Sequence, residues 1–148
     1  MTSLLRNALA LLVGIAVGGG VNMAIVALGP SIIPPPAGVD VSNAESLSRA
    51  MHLFEPRHFV MPFLAHAVGT LAGAFAAYMV AATYNWQIAL AIGVIFLCGG
   101  VAASFMIPAP AWFIALDVLG AYLPMAALGI YIGGRMKPRG TVGRAKQA

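Results

Sequence analysis

The chain has 148 residues, of which 61% are hydrophobic and only 8% are charged, and its formal net charge is +4. A soluble domain carries roughly a quarter charged residues, because it must cover its surface with groups that water solvates. The composition therefore excludes an ordinary soluble enzyme, a disordered chain and a nucleic-acid-binding domain, and the mean hydropathy of +0.92 indicates an integral membrane protein.

Four continuous apolar stretches are long enough to cross a bilayer as helices, which takes about 20 residues each. The predicted spans are residues 4–29, 58–83, 86–107 and 112–134. Transmembrane β-strands would be only ~10 residues long and would alternate in polarity. The predicted fold class is therefore all-α, a polytopic membrane protein with four transmembrane helices in a single membrane domain over residues 1–148.

Residues 30–57 form the one sizeable region outside the predicted spans. Within it, Ser42 and Glu45 fit a capping box, in which each side chain satisfies a backbone N–H at the start of a helix. Apolar residues then recur at helical spacing, at Ala44, Leu47, Met51 and Phe54. The pattern predicts a short amphipathic helix on the outer surface, which either covers the end of the bundle or acts as a lid over a site below it.

Basic residues at the two ends of the chain set the predicted orientation. Arg6 opens the first span. The tail at 135–148 holds five of the eight basic residues, Arg135, Lys137, Arg139, Arg144 and Lys146. Four crossings place both ends on one side of the membrane, and basic flanking residues favour the cytoplasmic side. The prediction is a multi-pass protein of the plasma membrane with cytoplasmic N- and C-termini and a basic cytoplasmic tail.

Pairs of small residues four positions apart occur in every predicted span, and such pairs let membrane helices approach closely. They are Gly14 and Gly18, Gly69 and Gly73, Gly100 and Ser104, and Gly129 and Gly133. The pairs favour a tightly packed four-helix bundle, and they are equally compatible with a homo-oligomer or with assembly into a larger membrane complex. The lipid bilayer is the partner that the composition implies, and no nucleic acid is predicted.

Polar side chains inside the spans are the candidate functional residues, because the membrane interior penalises them. At a rise of about 1.5 Å per residue, Asn22, His66 and Asp117 lie roughly 10–13 Å below the outer surface, each on a different helix. Thr70 lies one turn below His66, and Tyr122 follows Asp117 by five residues. We predict a buried polar layer in which His66 pairs with Asp117 and Asn22 is available as a hydrogen-bond donor.

Two interpretations of this layer stay open on the sequence alone. As a clasp, the polar groups fix how the helices pack, and each hydrogen bond adds about 0.6 kcal/mol. As a transport site, the His–Asp pair relays protons across the membrane. The function is accordingly predicted to be that of a structural or accessory bundle or, alternatively, of a proton-coupled transporter or channel for a small solute or ion that works as an oligomer.

No cofactor or metal site is predicted. His58 and His66 are eight residues apart, which is about 12 Å along a helix and too far for them to share an ion. Cys98 is a single thiol inside a span and is expected to pack rather than to react. The sequence holds no phosphate-binding loop, nucleophile elbow or HExxH motif, so an enzyme is not favoured.

Three segments together resemble a group of small bacterial four-helix inner-membrane proteins that have no assigned function. The segments are SIIPPP at 31–36, LFEPRHF at 53–59 with PFLAHA at 62–67, and LDVLGAY at 116–122. The likeness covers most of the chain except the basic tail. It implies a location in the bacterial inner (plasma) membrane, and it implies nothing about chemistry.

Overall fold

The structure is a computed structural model that describes residues 1–107 and 109–137. Over these ranges the chain is helical and contains no strand. Four helical segments are long and apolar enough to cross a membrane, which confirms the predicted fold class: Ser3–Ile32, Pro56–Val80, Asn85–Met106 and Ala111–Met136. Most of the predicted basic tail, with Arg139, Arg144 and Lys146, lies outside the described residues.

Six α-helices make up the described chain. They are α1 (Ser3–Ile32), α2 (Ala44–Ala50), α3 (Val60–Val80), α4 (Asn85–Met106), α5 (Ala111–Gly120) and α6 (Leu123–Met136), with 3-10 turns at Met51–Leu53 and Pro56–Phe59. The terminus half of the bundle holds the start of α1, the end of α3, the start of α4 and the end of α6. The loop half holds the end of α1, residues 33–59, the start of α3, the end of α4 and α5.

Glycines bring α1 and α3 into backbone contact. A Cβ atom built on Gly73 would lie 2.6 Å from the carbonyl oxygen of Gly14, and one built on Gly18 would lie 2.8 Å from that of Gly69. Gly129 of α6 approaches the other side of α3 in the same way. Because α3 also contacts α4, it is the central helix of the bundle, and its small residues set how closely the other helices approach.

Polar side chains cap the end of α3 in the terminus half. The Nε of Arg6 donates a hydrogen bond to the carbonyl oxygen of Val80 at 2.8 Å, and Nζ of Lys137 donates to that of Ala81 at 2.5 Å. Nδ2 of Asn85 also donates to Ala81, at 3.0 Å. These bonds satisfy carbonyls that a helix end leaves without partners. Partial burial, together with the neighbouring positive charge of Arg6, lowers the pKa of Lys137.

The second span ends earlier than predicted, at Val80 rather than Thr83. The cause is Asn7, whose Oδ1 accepts hydrogen bonds from the N–H groups of Ala82 and Thr83 at 3.0 and 3.2 Å. A side chain from α1 therefore takes the place of the helical carbonyls that these N–H groups would otherwise find. Such a long-range partner is not visible in the local sequence.

The first span ends later than predicted, because α1 continues past Gly29 and through Pro30 to Ile32. The N–H of Ile33 still donates to the carbonyl oxygen of Gly29 at 2.8 Å, so the helix closes after the proline. Proline removes one hydrogen bond from a helix without forbidding the turn that follows it. The prediction that the first span ends at residue 29 was wrong.

The surface helix α2 begins differently from the predicted capping box. Its N-cap is Asn43, whose Oδ1 accepts from the N–H groups of Glu45 and Ser46 at 2.9 and 3.0 Å. The hydroxyl of Ser42 instead donates to Asp40 at 2.6 Å. Hydrogen bonds from Ser42 lower the pKa of Asp40. The prediction of Ser42 as the cap was wrong, because the Asp40 carboxylate, a stronger acceptor, takes its hydroxyl.

Candidate functional site

A cavity of about 340 Å³ lies in the loop half, between the ends of α1, α3, α4 and α5. Its walls are mainly apolar, and they include Val26, Ile33, Met61, Ile107, Phe113 and Val118. Four polar side chains also line it, those of His58, His66, Ser104 and Asp117. An apolar cavity with a few fixed polar groups is the usual form of a small-molecule site.

The innermost part of the cavity, its floor, holds a hydrogen-bonded pair formed by His66 of α3 and Asp117 of α5. Nδ1 of His66 lies 2.9 Å from Oδ1 and 2.8 Å from Oδ2 of the carboxylate. The Asp117 side chain is only 7% exposed, whereas the His66 side chain is 28% exposed. A carboxylate buried this deeply needs hydrogen-bond donors, so Nδ1 of the imidazole carries a hydrogen and donates it to Asp117.

Tyr122 supplies the second donor to the carboxylate. Its hydroxyl donates to Oδ2 of Asp117 at 2.9 Å, and its ring stacks on His66 with 5.5 Å between the ring centroids. Tyr122 is 2% exposed. A Cβ atom on Gly100 would collide with the tyrosine hydroxyl and ring, so only glycine leaves room for this side chain. His66, Asp117 and Tyr122 form one buried network, called the floor network below.

A break in the fourth span lets Tyr122 reach Asp117. In an unbroken helix, residues five apart point in directions about 140° apart and do not face each other. Here α5 ends at Gly120 and α6 begins at Leu123, so the chain turns at Tyr122. Pro124 has no N–H to donate to Gly120, and this favours the break. The span predicted at residues 112–134 carries no break, although Gly120 and Pro124 are the two residues that could have indicated the turn.

The other two residues of the predicted polar layer lie elsewhere. Thr70 is fully buried, and its hydroxyl donates to the backbone carbonyl oxygen of His66 at 2.7 Å. Asn22 lies at the contact between α1 and α3, where a Cβ on Gly69 would be 3.0 Å from its own Cβ. Among the described residues, the side-chain donors to Asp117 are His66 and Tyr122, and Asn22 is not one of them.

The segment of residues 41–54, called the lid segment below, covers the cavity with its apolar side. Leu47, Met51 and Phe54 line the cavity, as does Val41 at the start of the segment. The fourth residue of the predicted apolar face, Ala44, is not among the lining residues. The apolar face of the surface helix therefore lines the cavity on its loop side.

Aromatic rings form one wall beneath the lid segment. The ring centroid of Phe59 lies 4.8 Å from that of Phe113 and 5.4 Å from that of Trp112. Phe54 continues this cluster at 6.2 Å from Phe59. Phe54, Phe59 and Phe113 all line the cavity, so a molecule inside it would meet ring faces and edges on this side.

The remaining histidines and the cysteine lie away from the floor network. Nδ1 of His58 accepts a hydrogen bond from the N–H of Glu55 at 2.9 Å, near the upper part of the cavity. His52 binds the carbonyl of Arg49 within the lid segment. Cys98 is exposed on α4. Over residues 1–107 and 109–137 no group of three or more His, Cys, Asp or Glu side chains is placed to hold a metal ion.

The chemistry of the floor centres on Nε2 of His66. The hydrogen bond from Nδ1 to Asp117 fixes the ring, so Nε2 holds a lone pair in neutral imidazole and a second N–H in imidazolium. Within the described part of the chain Nε2 has no hydrogen-bond partner. Because His66 is partly exposed and lines the cavity, Nε2 is available to exchange a proton or to bind a polar group of a guest molecule.

Comparison with known proteins adds no assignment to this geometry. No protein-family model, no curated protein and no solved structure matches the chain. The functional argument therefore rests on the cavity, its covering segment and the floor network.

Proposed function

We propose that this protein is a proton-coupled transporter of a small, mainly apolar solute, working as a homo-oligomer in a bacterial inner membrane. The observation that carries the proposal is that the cavity reaches the buried His66–Asp117 pair. Ionisable residues inside a membrane mark ion and proton pathways when they face a cavity. A clasp that only fixed helix packing would not need to border an empty space.

The pair links a proton to the solute through two changes at one group. With neutral imidazole the pair carries one negative charge, and with imidazolium its net charge is zero. Protonation also converts Nε2 of His66 from an acceptor into a donor. Solute affinity therefore depends on the protonation state, and by linkage the proton affinity of the pair depends on the solute to the same degree. His58, which also lines the cavity, is the other titratable group that a solute would meet.

The closed terminus half fits one state of such a cycle. Alternating access needs one end of the pathway closed while the other receives the solute. Arg6, Asn7 and Lys137 close the terminus end through hydrogen bonds with backbone groups at the end of α3. Water can replace these side chains as hydrogen-bond partners. The glycine contacts hold α1 and α3 together with no space between their backbones, and we propose that copies of the bundle assemble into an oligomer.

The orientation follows from charge. Arg6, Arg135 and Lys137 all lie at the terminus end, and the basic tail continues from there. Positive flanking residues favour the cytoplasmic side, so both termini are proposed to be cytoplasmic and the cavity to lie in the outer half of the membrane. The resemblance to small bacterial four-helix proteins supports the inner membrane as the location.

The second candidate is a structural or accessory bundle, and the packing of the terminus half favours it. Gly14, Gly18, Gly69 and Gly73 bring α1 and α3 into backbone contact, as in a rigid scaffold. In this case the bundle would assemble with a larger membrane complex, and the floor network would act as the clasp that holds α5 against α3.

Proton movement in proteoliposomes separates the two candidates. Vesicles with a pH-sensitive dye inside and an imposed pH gradient would receive cyclohexanol as a small, mainly apolar probe. For the wild-type protein we expect the probe to accelerate the collapse of the gradient, and for Asp117→Asn we expect no acceleration. Asp40→Asn is the matched control, because it removes a carboxylate from the loop surface and should leave the rate unchanged.

A wild-type protein that is folded and reconstituted but shows no probe-dependent proton movement would contradict the transporter and support the accessory bundle. Equal rates for Asp117→Asn and the wild type would contradict the role given to the pair. Thermal unfolding of each variant in detergent shows whether a lost rate reflects a lost fold.

A further inference from the structure

The cavity and the floor network together define what kind of molecule fits. We infer that the ligand is a compact, lipid-soluble hydroxyl compound, of the class of substituted phenols, whose hydroxyl binds Nε2 of His66. This inference names the substrate class of the proposed transporter, but binding itself does not depend on transport.

The volume sets the size of the ligand. The cavity measures about 340 Å³, which is at the lower end of the roughly 300–1,000 Å³ typical of small-molecule sites. A whole phospholipid is larger than this space. A single ring with short alkyl substituents fits within it.

The polar groups at the cavity floor already make hydrogen bonds to one another, which leaves one polar atom there for the ligand. Both carboxylate oxygens of Asp117 already accept hydrogen bonds, from His66 and Tyr122. The hydroxyl of Ser104 donates to the carbonyl oxygen of Val101 at 2.7 Å. Nε2 of His66 is therefore the polar atom at the floor that is left for a guest, and further polar groups placed at the floor would be buried without partners.

The properties of Nε2 favour a hydroxyl over other single polar groups. A hydroxyl both donates and accepts, so it pairs with Nε2 whether His66 is neutral or protonated. An ether or carbonyl oxygen pairs only with imidazolium. The hydrogen bond from Nδ1 to Asp117 fixes the ring and its tautomer, so in neutral imidazole Nε2 is the atom that accepts a hydroxyl proton.

The aromatic wall favours a ring over an aliphatic chain. Phe54, Phe59 and Phe113 line one side of the cavity. The ring centroid of Phe59 lies 6.2 Å from that of Phe54 and 4.8 Å from that of Phe113. Aromatic pairs gain about 0.5–1.5 kcal/mol beyond their buried area when stacked or edge to face. A phenol combines such a ring with the single hydroxyl that the floor accepts.

Binding of thymol, compared with p-cymene, tests the inference. The two compounds have the same ring and alkyl groups, and only thymol carries the hydroxyl. In lipid nanodiscs, Trp86→Phe leaves Trp112, which contacts Phe59 and Phe113, as the single tryptophan reporter of binding. We expect thymol to bind about tenfold more tightly than p-cymene, as one hydrogen bond allows.

Two variants assign the preference to His66. In His66→Asn, the amide nitrogen replaces Nδ1 as a donor to Asp117, while Nε2 is lost. Thymol and p-cymene should therefore bind this variant with about equal affinity. His52→Asn makes the same change in the lid segment away from the cavity floor and should keep the preference. Ala103→Phe fills the cavity from α4 and should weaken the binding of both compounds.

Equal affinities of thymol and p-cymene for the wild type would overturn the inference, as would a thymol preference that survives in His66→Asn. Binding that survives in Ala103→Phe would place the ligand outside the cavity and would overturn it as well. A thymol preference without probe-driven proton movement leaves this inference standing and contradicts the transporter. Probe-driven proton movement without a thymol preference supports the transporter and overturns this inference.

Discussion

The two halves of the bundle lie along the same four apolar spans, yet they pack in opposite ways. In the terminus half, glycines place the backbones of α1 and α3 in contact, and Arg6 and Lys137 cap the end of α3. In the loop half, prolines, aromatic rings and a broken helix surround a cavity of about 340 Å³. Close packing therefore comes from glycines, which have no side chain, whereas the cavity forms where bulky and rigid residues keep the helices apart.

Gly73→Val should have the largest effect, because it attacks the closed half. The added Cβ would meet the carbonyl oxygen of Gly14 at 2.6 Å, and backbone atoms of α1 cannot move aside without separating the helices. We expect a loss of about 3 kcal/mol in the free energy of unfolding, measured by denaturation in mixed micelles. Gly19→Val is the matched control, because no atom lies within 4 Å of its added Cβ. Equal stabilities of the two variants would show that this contact does not hold the half closed.

Asp117→Leu should have the next largest effect, because it removes the acceptor at the centre of the loop half. The change leaves the Nδ1–H of His66 and the hydroxyl of Tyr122 without their partner, at a cost of about 2 kcal/mol. Asp117→Asn keeps an acceptor of the same shape and should cost less than about 1 kcal/mol. The same unfolding measurement compares the two variants. If leucine proved as stable as asparagine, the network would not contribute to the fold.

Tyr122→Phe should have a smaller effect, because it removes one hydrogen bond and keeps the ring that stacks on His66. Hydrogen bonds between membrane helices average about 0.6 kcal/mol, and we expect a loss of that size. Unfolding of the Tyr122→Phe and Asp117→Leu single variants and of the double variant gives the coupling between the two residues. Additive losses would mean that the hydroxyl and the carboxylate do not interact.

Acid should have the smallest effect, confined to residues 40–50. Hydrogen bonds from Ser42 lower the pKa of Asp40, so their stabilisation is present above the usual aspartate pKa and is lost as the pH falls through the lowered value. Hydrogen exchange of residues 40–50, corrected for intrinsic rates, should therefore increase at low pH while the rest of the bundle stays protected. Asp40→Asn should exchange without this pH dependence, and an unchanged profile in the variant would exclude Asp40 as the cause.

Much of the fold could be predicted because it depends on properties that run along the chain. Apolar length predicted the four spans, and the spacing of Leu47, Met51 and Phe54 predicted an apolar face that the structure turns toward the cavity. Depth along the helix axis placed His66 and Asp117 at one level, and the structure places them within hydrogen-bonding distance. These properties need no knowledge of how the helices are rotated.

The rest depends on rotation and on space between helices, which the sequence does not display. Asn22 faces Gly69 rather than Asp117. In the sequence, Gly100 looks like an ordinary small residue at a helix contact, and nothing there indicates that it leaves room for Tyr122. The cavity itself is the volume that several helices leave unfilled, and no single segment of the chain encodes it.

The break at Tyr122 has a mechanical consequence. Because α5 is a separate rod of 10 residues, it acts as a lever about 15 Å long whose fulcrum is Tyr122. Trp112 is twice as far along the chain from this fulcrum as Asp117 is, so a given tilt displaces the tryptophan about twice as far as the carboxylate. A tilt of α5 therefore widens the cavity about twice as much at Trp112 as at the Asp117 carboxylate.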